Sequence, residues 1–122
     1  MATTTATISV SSNILSYPIS INNSMTMKKA GSCHGLEETS GLNTKKITST
    51  TAFKLFGNAE ATAGGASKVY IRNSGASTTD FFYVGYGEDL AAATIETIGR
   101  LYGGNWMLIP WDAVAATTHD IY

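Results

Sequence analysis

A single cysteine, Cys33, excludes any intramolecular disulfide, so the fold must hold without a covalent staple. Charge is also scarce: 14% of the residues are charged and the formal net charge is -1 at pH 7. The few basic residues are scattered, which leaves no basic stripe to capture a nucleic-acid backbone. No apolar run approaches the roughly 20 residues that a bilayer-spanning helix needs. The opening MATTTATISVSS has neither a basic n-region nor a continuous apolar h-region, so neither secretion nor membrane anchoring is expected. One cysteine and two histidines can hardly supply the about four ligands of a structural zinc site.

What fills the space left by charge is Ser, Thr, Asn and Gly, a composition that favours strands and turns over exposed amphipathic helices. A chain of 122 residues fits one domain and can bury a self-sufficient core. The expectation is one all-β domain over 1–122, with 1–12 a candidate extended docking arm.

Alternation of apolar and polar residues marks the strands. Ala6, Ile8 and Val10 alternate with Thr and Ser, and Leu15, Tyr17, Ile19 and Ile21 continue the period of two. Asn22-Asn23-Ser24 reads as a turn before Met25 and Met27, and Pro18 places its segment at a sheet edge or bulge. From Lys28 to Lys46 the pattern gives way to the longest loop, broken by Gly31, Gly35 and Gly41. Residues 47–56 read as a central strand. Lys68–Arg72 and Phe81–Tyr86 read as a hairpin through Asn73-Ser74-Gly75. A strand over 94–101 follows, then the turn Tyr102-Gly103-Gly104-Asn105, with Trp106–Ile109 returning antiparallel to it. Thr117–Tyr122 adds a terminal strand. The sum is roughly eight short strands, the pattern of a small antiparallel β-sandwich or jelly-roll-like barrel.

The residues that carry chemistry elsewhere do not assemble here. Cys33-His34 offers a thiol and a base, but on a strand neighbours point to opposite faces. His119-Asp120 could orient an imidazole, yet no G-x-S-x-G elbow exists to present a serine. Glu37-Glu38 and Glu88-Asp89 lack the alternating ligands of a calcium loop. Gly64-Gly65-Ala66-Ser67-Lys68 enters a strand, whereas a phosphate loop leaves one and opens a helix. The sequon at Asn22 is without a secretory signal. Neither an enzyme nor a cofactor is expected.

Two runs break the rule of one polar face. Along Trp106–Trp111, one face holds Trp106, Leu108 and Pro110 and the other Met107, Ile109 and Trp111; along Phe81–Tyr86 both faces are again apolar. If one face fills the core, the other needs cover from this chain or from another. The candidate interface residues are Tyr86, Tyr102, Trp106, Met107, Ile109 and Trp111.

With KVYIRNSG, FFYVGYG and IGRLYGGNWMLIPW in place, residues 66–112 resemble small virion proteins of tailed bacteriophages, in which a YI-N-G strand precedes an IGRLY-G-W--IPW hairpin. The likeness is to capsid decoration, or cement, proteins and related virion structural subunits, and it covers roughly two fifths of the chain. The resemblance implies a β-rich module, a dimer or trimer, bound outside the major capsid protein lattice and stabilising the shell without catalysis. It implies synthesis in the host cytoplasm and residence on the capsid surface, with no nucleic-acid or membrane partner. The competing expectation is a carbohydrate-binding β-sandwich of a tail fibre or receptor-binding assembly, with Trp106, Trp111 or Tyr102 as the stacking platform. A small hydrolase using His119 or Cys33 is a third, with little behind it.

Overall fold

A computed structural model describes residues 3–14, 16–28, 41–48, 50–57, 68–87, 95–111 and 120–122. The described part is all-β and antiparallel, with seven strands against the roughly eight expected. They are β1 (Thr5–Ser12), β2 (Ile19–Thr26), β3 (Lys68–Arg72), β4 (Phe81–Gly87), β5 (Ile95–Tyr102), β6 (Trp106–Pro110) and β7 (Asp120–Ile121). The chain divides into two compact units, Met1–Leu42 and Asn43–Tyr122.

The first unit is built on one long hairpin, in which β1 pairs with β2 from Thr5↔Thr26 to Ser12↔Ile19. Thr5–Ser12 of the candidate arm is thus a strand, paired along its length. The register sorts the side chains by chemistry. Ala6, Ile8 and Val10 share a face with Ile19, Ile21 and Met25, with Asn23 opposite Ile8 as the only amide among them. The other face is Thr, Ser and Asn throughout, and there Thr7 Oγ1 and Ser24 Oγ lie 2.7 Å apart in a hydrogen bond. The expected turn at Asn22-Asn23-Ser24 does not form: β2 runs straight through it. The chain reverses earlier, where the Tyr17 N–H donates to the Ile14 carbonyl (3.1 Å) and the Ile14 N–H to Ser12 Oγ (3.3 Å). Asn22 is tolerated in mid-strand because it lies on the hydroxyl face, opposite Ser9.

The second unit is sandwich-like. A two-stranded sheet, β3–β6, and a three-stranded sheet in the order β5–β4–β7 contribute to one core. Val69 and Ile71 of β3, Val84 of β4, Leu101 of β5, Ile121 of β7 and Trp111 form it, with Leu55, Phe56, Tyr86, Met107 and Ile109 packed against it. Two expected pairings are corrected by this arrangement. β3 does not form a hairpin with β4; it pairs with β6, from Lys68↔Pro110 to Arg72↔Trp106. The tight turn after β5 forms, with the Asn105 N–H donating to the Tyr102 carbonyl (3.0 Å) and Gly104 at φ 81°. It does not return β6 alongside β5, however, because β5 pairs with β4. The reason is the core itself: Leu101 and the Met107/Ile109 pair fill it from different sheets, so the turn must carry the chain from one layer to the other.

Asn73 holds that crossing in place. Its backbone N–H donates to the Asn105 carbonyl (3.0 Å), and its carbonyl accepts from the Gly104 N–H (2.8 Å). Its side chain donates from Nδ2 to the Leu101 carbonyl (3.0 Å) and accepts from the Gly75 N–H (2.9 Å), closing an Asx turn. Gly103 lies under the loop this turn creates, where a Cβ would overlap the Ser77 carbonyl oxygen and lie 2.7 Å from that of Gly75.

The expected central strand over 47–56 is also corrected. Within 50–57 only Phe56 bridges to a strand, at Ile121. In the sequence Ser49 and Thr51 separate Ile47 from Phe53 and Leu55 on the alternating face, so the apolar residues gather at one end, and it is this end, with Leu55 and Phe56, that docks on the core. There the Leu55 and Phe56 N–H groups both donate to the Ile121 carbonyl (2.7 and 3.1 Å), and the Ile121 N–H returns a bond to Phe56 (2.8 Å). Lys54 reinforces the dock through an ion pair with Asp120 (2.6 Å). Asp120 is 2% exposed, so the pair keeps a desolvated carboxylate compensated. β7, within the expected terminal strand, also pairs with β4 at Tyr86↔Ile121.

Candidate interaction surface

The six candidate residues separate into core and surface. Trp111 is 6% exposed and packs on Phe56 with ring centroids 6.2 Å apart, so its surface is spent inside the chain. Met107 and Ile109 point the same way and line the core from β6. Tyr86 packs against the core and donates its Oη–H to the Pro110 carbonyl (2.9 Å), bridging β4 to the end of β6. Burial raises the pKa of this phenol above the ordinary tyrosine value. Of the six, only Trp106 and Tyr102 are exposed, Trp106 at 53%.

Around those two the register gathers others. On β3–β6, the strict alternation that turns Val69, Ile71, Met107 and Ile109 inward turns Tyr70, Arg72, Trp106 and Leu108 outward. Tyr70 and Trp106 lie diagonally across this face, ring centroids 6.1 Å apart. On β4–β5, Phe81 pairs with Tyr102 and Tyr83 with Arg100, on the face away from Val84 and Leu101. Phe81 meets Tyr83 edge to face at 5.2 Å and Tyr102 at the same distance. The Arg100 guanidinium lies over Phe81 and Tyr83, 4.8 and 5.3 Å from their centroids. Its pKa is raised, first by a hydrogen bond with Tyr102 and next by the charge attraction of Tyr83, so it is a permanent cation.

These contacts fix the rings in position before any partner arrives, and fixed aromatic side chains lose little entropy on binding. Between the two faces, at the β5–β6 turn, lies an open depression lined by Ile98, Arg100, Asn105 and Trp106 among others. What the arrangement offers is contact area, stacking surface and a few hydrogen-bond donors.

Comparison with protein families, curated proteins and solved structures found no match to this chain.

Among the described residues, no group of three or more His, Cys, Asp or Glu side chains could hold a metal ion. Cys33, His34, Glu37, Glu38, Glu88, Asp89 and His119 lie outside the described residues, as does the Gly64–Ser67 segment. The candidate interface residues read from the sequence do not include Tyr70, Phe81, Tyr83 or Arg100. For Tyr70 the signal was present, since it shares its parity with Lys68 and Arg72. For the Tyr83–Arg100 pair the only signal is Gly85 and Gly99, isolated strand glycines of the kind that mark a bulge, and the register depends on the bulge after Val84.

Proposed function

We propose that this chain is a non-enzymatic structural protein of a tailed-bacteriophage virion, a capsid decoration protein that binds the outside of the major capsid protein lattice and stabilises the shell. The observation that supports this reading is the pair of outward aromatic faces, Tyr70–Trp106 and Phe81–Tyr83–Tyr102 with Arg100, in which Tyr70, Tyr83, Tyr102 and Trp106 are exposed. Tyr, Trp and Arg are the residues that dominate protein–protein interfaces when buried at their centre. The β-rich scaffold and the likeness of residues 66–112 to virion subunits point the same way.

The test is co-sedimentation of the purified chain with empty shells of the phage major capsid protein. Wild type binds, and Tyr83→Ala combined with Trp106→Ala weakens binding by at least about tenfold, the loss expected when aromatic anchors are truncated. Unfolding stability should change by no more than about 1 kcal/mol, since both side chains are exposed. Shell binding that is absent in wild type, or unchanged in the double variant, contradicts the reading.

A second reading has its own observation. Trp106 beside Asn105 and Arg100 in an open depression is a stacking surface with adjacent donors, which suits a saccharide. Glycan binding lost in Trp106→Ala, together with no binding to shells, would replace the first reading with this one.

A further inference from the structure

We infer that the β1–β2 hairpin is a self-association element, its apolar face closed by the same face of a second copy of this chain. This surface belongs to the other compact unit from the aromatic faces, so the inference stands or falls apart from the capsid reading.

Three observations carry it. The first is the segregation of the hairpin. Eight paired positions place every aliphatic side chain of both strands on one face, with only Asn23 and Ser12 as polar members, and leave the other face to Thr, Ser and Asn. A two-stranded hairpin is at best marginally stable alone in water, so a face this sharply apolar needs a covering layer. Yet Ile8, Val10, Ile19, Ile21 and Met25 are all exposed, four of them by 45–46%.

The second is area. Those five residues expose about 400 Å2, and Ile14 and Tyr17 at the turn bring the exposed apolar residues of the hairpin to about 700 Å2, against the about 800 Å2 that each partner buries in a standard-size interface.

The third is charge. Residues 3–27 contain no Asp, Glu, Lys or Arg. An acidic or basic partner would find no counter-charge on this hairpin, whereas two identical neutral faces meet without repulsion. Asn23, the only amide on the apolar face, is both donor and acceptor, so a copy of itself across a two-fold axis can satisfy it.

Sedimentation equilibrium of the full chain at up to about 100 μM tests the inference on a scale that detects even modest affinity. Wild type is expected to form a symmetric oligomer. Ile8→Thr with Ile21→Thr keeps the β-branched shape while making the face polar, and should weaken association by at least about tenfold. Ser9→Lys, on the hydroxyl face, should leave it within about twofold. Both tryptophans lie in the second unit, so their fluorescence reports its folding independently of the hairpin, and far-UV circular dichroism checks the strands. A monomeric wild type, an oligomer indifferent to the Thr pair, or a hairpin face that engages only lipid vesicles or capsid shells would each overturn the inference.

Discussion

Gly103 and Gly104 are adjacent in sequence and required for different reasons. Gly104 sits at φ 81° with open space around its Cβ position, so only backbone conformation restricts it. Gly103 has no such conformation but lies against the backbone of Gly75 and Ser77. Gly103→Ala is therefore expected to destabilise the second unit by about 1–3 kcal/mol, as overpacking does when backbone must yield. Gly104→Asn should cost less than about 1 kcal/mol, because Asn tolerates the left-handed region. Urea denaturation followed by tryptophan fluorescence measures both, and an equal loss in the two variants would contradict the distinction. The Gly-Gly pair was legible in the sequence as a turn; the loop pressing on Gly103 was not, because that contact spans more than 25 residues and depends on the Asn73 side chain. Asn73 itself reads as one residue of a turn signal, whereas its side chain reaches the Leu101 carbonyl of another strand.

Strand positions followed from alternation, and strand partners did not. β1, β3, β4, β5, β6 and β7 lie close to their expected places, since period-two patterning with β-branched and aromatic residues is a local property. Pairing is set by which faces must meet in the core. Leu101 and Ile109 require opposite layers, and that requirement overrides the turn that joins β5 to β6. The segment 47–56 departs for a related reason, because its alternation runs through Ser and Thr over most of its length and only its end, Leu55 and Phe56, has apolar surface that meets the core. Tyr86 links the elements that the turn separates, through its bond to Pro110. Tyr86→Phe should cost about 0.5–1.5 kcal/mol at pH 7, the usual net value of one hydrogen bond. The raised phenol pKa gives this contribution a pH dependence whose sign is fixed. The folded state favours the protonated phenol, so the stabilisation is complete below the unfolded value of about 10 and is lost as pH rises through the raised folded value. In urea titrations the stability gap between wild type and Tyr86→Phe should narrow as pH rises above the ordinary tyrosine value of about 10; a gap that widens would contradict the assignment.

At the scale of the whole molecule, the balance of apolar surface is inverted. Among the described residues fifteen large hydrophobic side chains are exposed, against eight hydrophobic residues buried. A protein that works alone in water rarely leaves contiguous apolar faces of this kind uncovered. The sequence made half of this visible, in runs without a polar face. It could not say that Trp111, Met107 and Ile109 are consumed by the core while Trp106 and Tyr70 are left outside, because that depends on which sheet β6 joins. The exposed aromatic faces and the apolar hairpin are what support the proposal that this chain works within an assembly, a phage shell on the reading proposed above. The most direct measurement is the stoichiometry of this chain relative to the major capsid protein in purified particles, by quantitative mass spectrometry. The account predicts a fixed ratio, set by lattice symmetry and constant across preparations, whereas absence from the particles, or a ratio that drifts with purification, would contradict it.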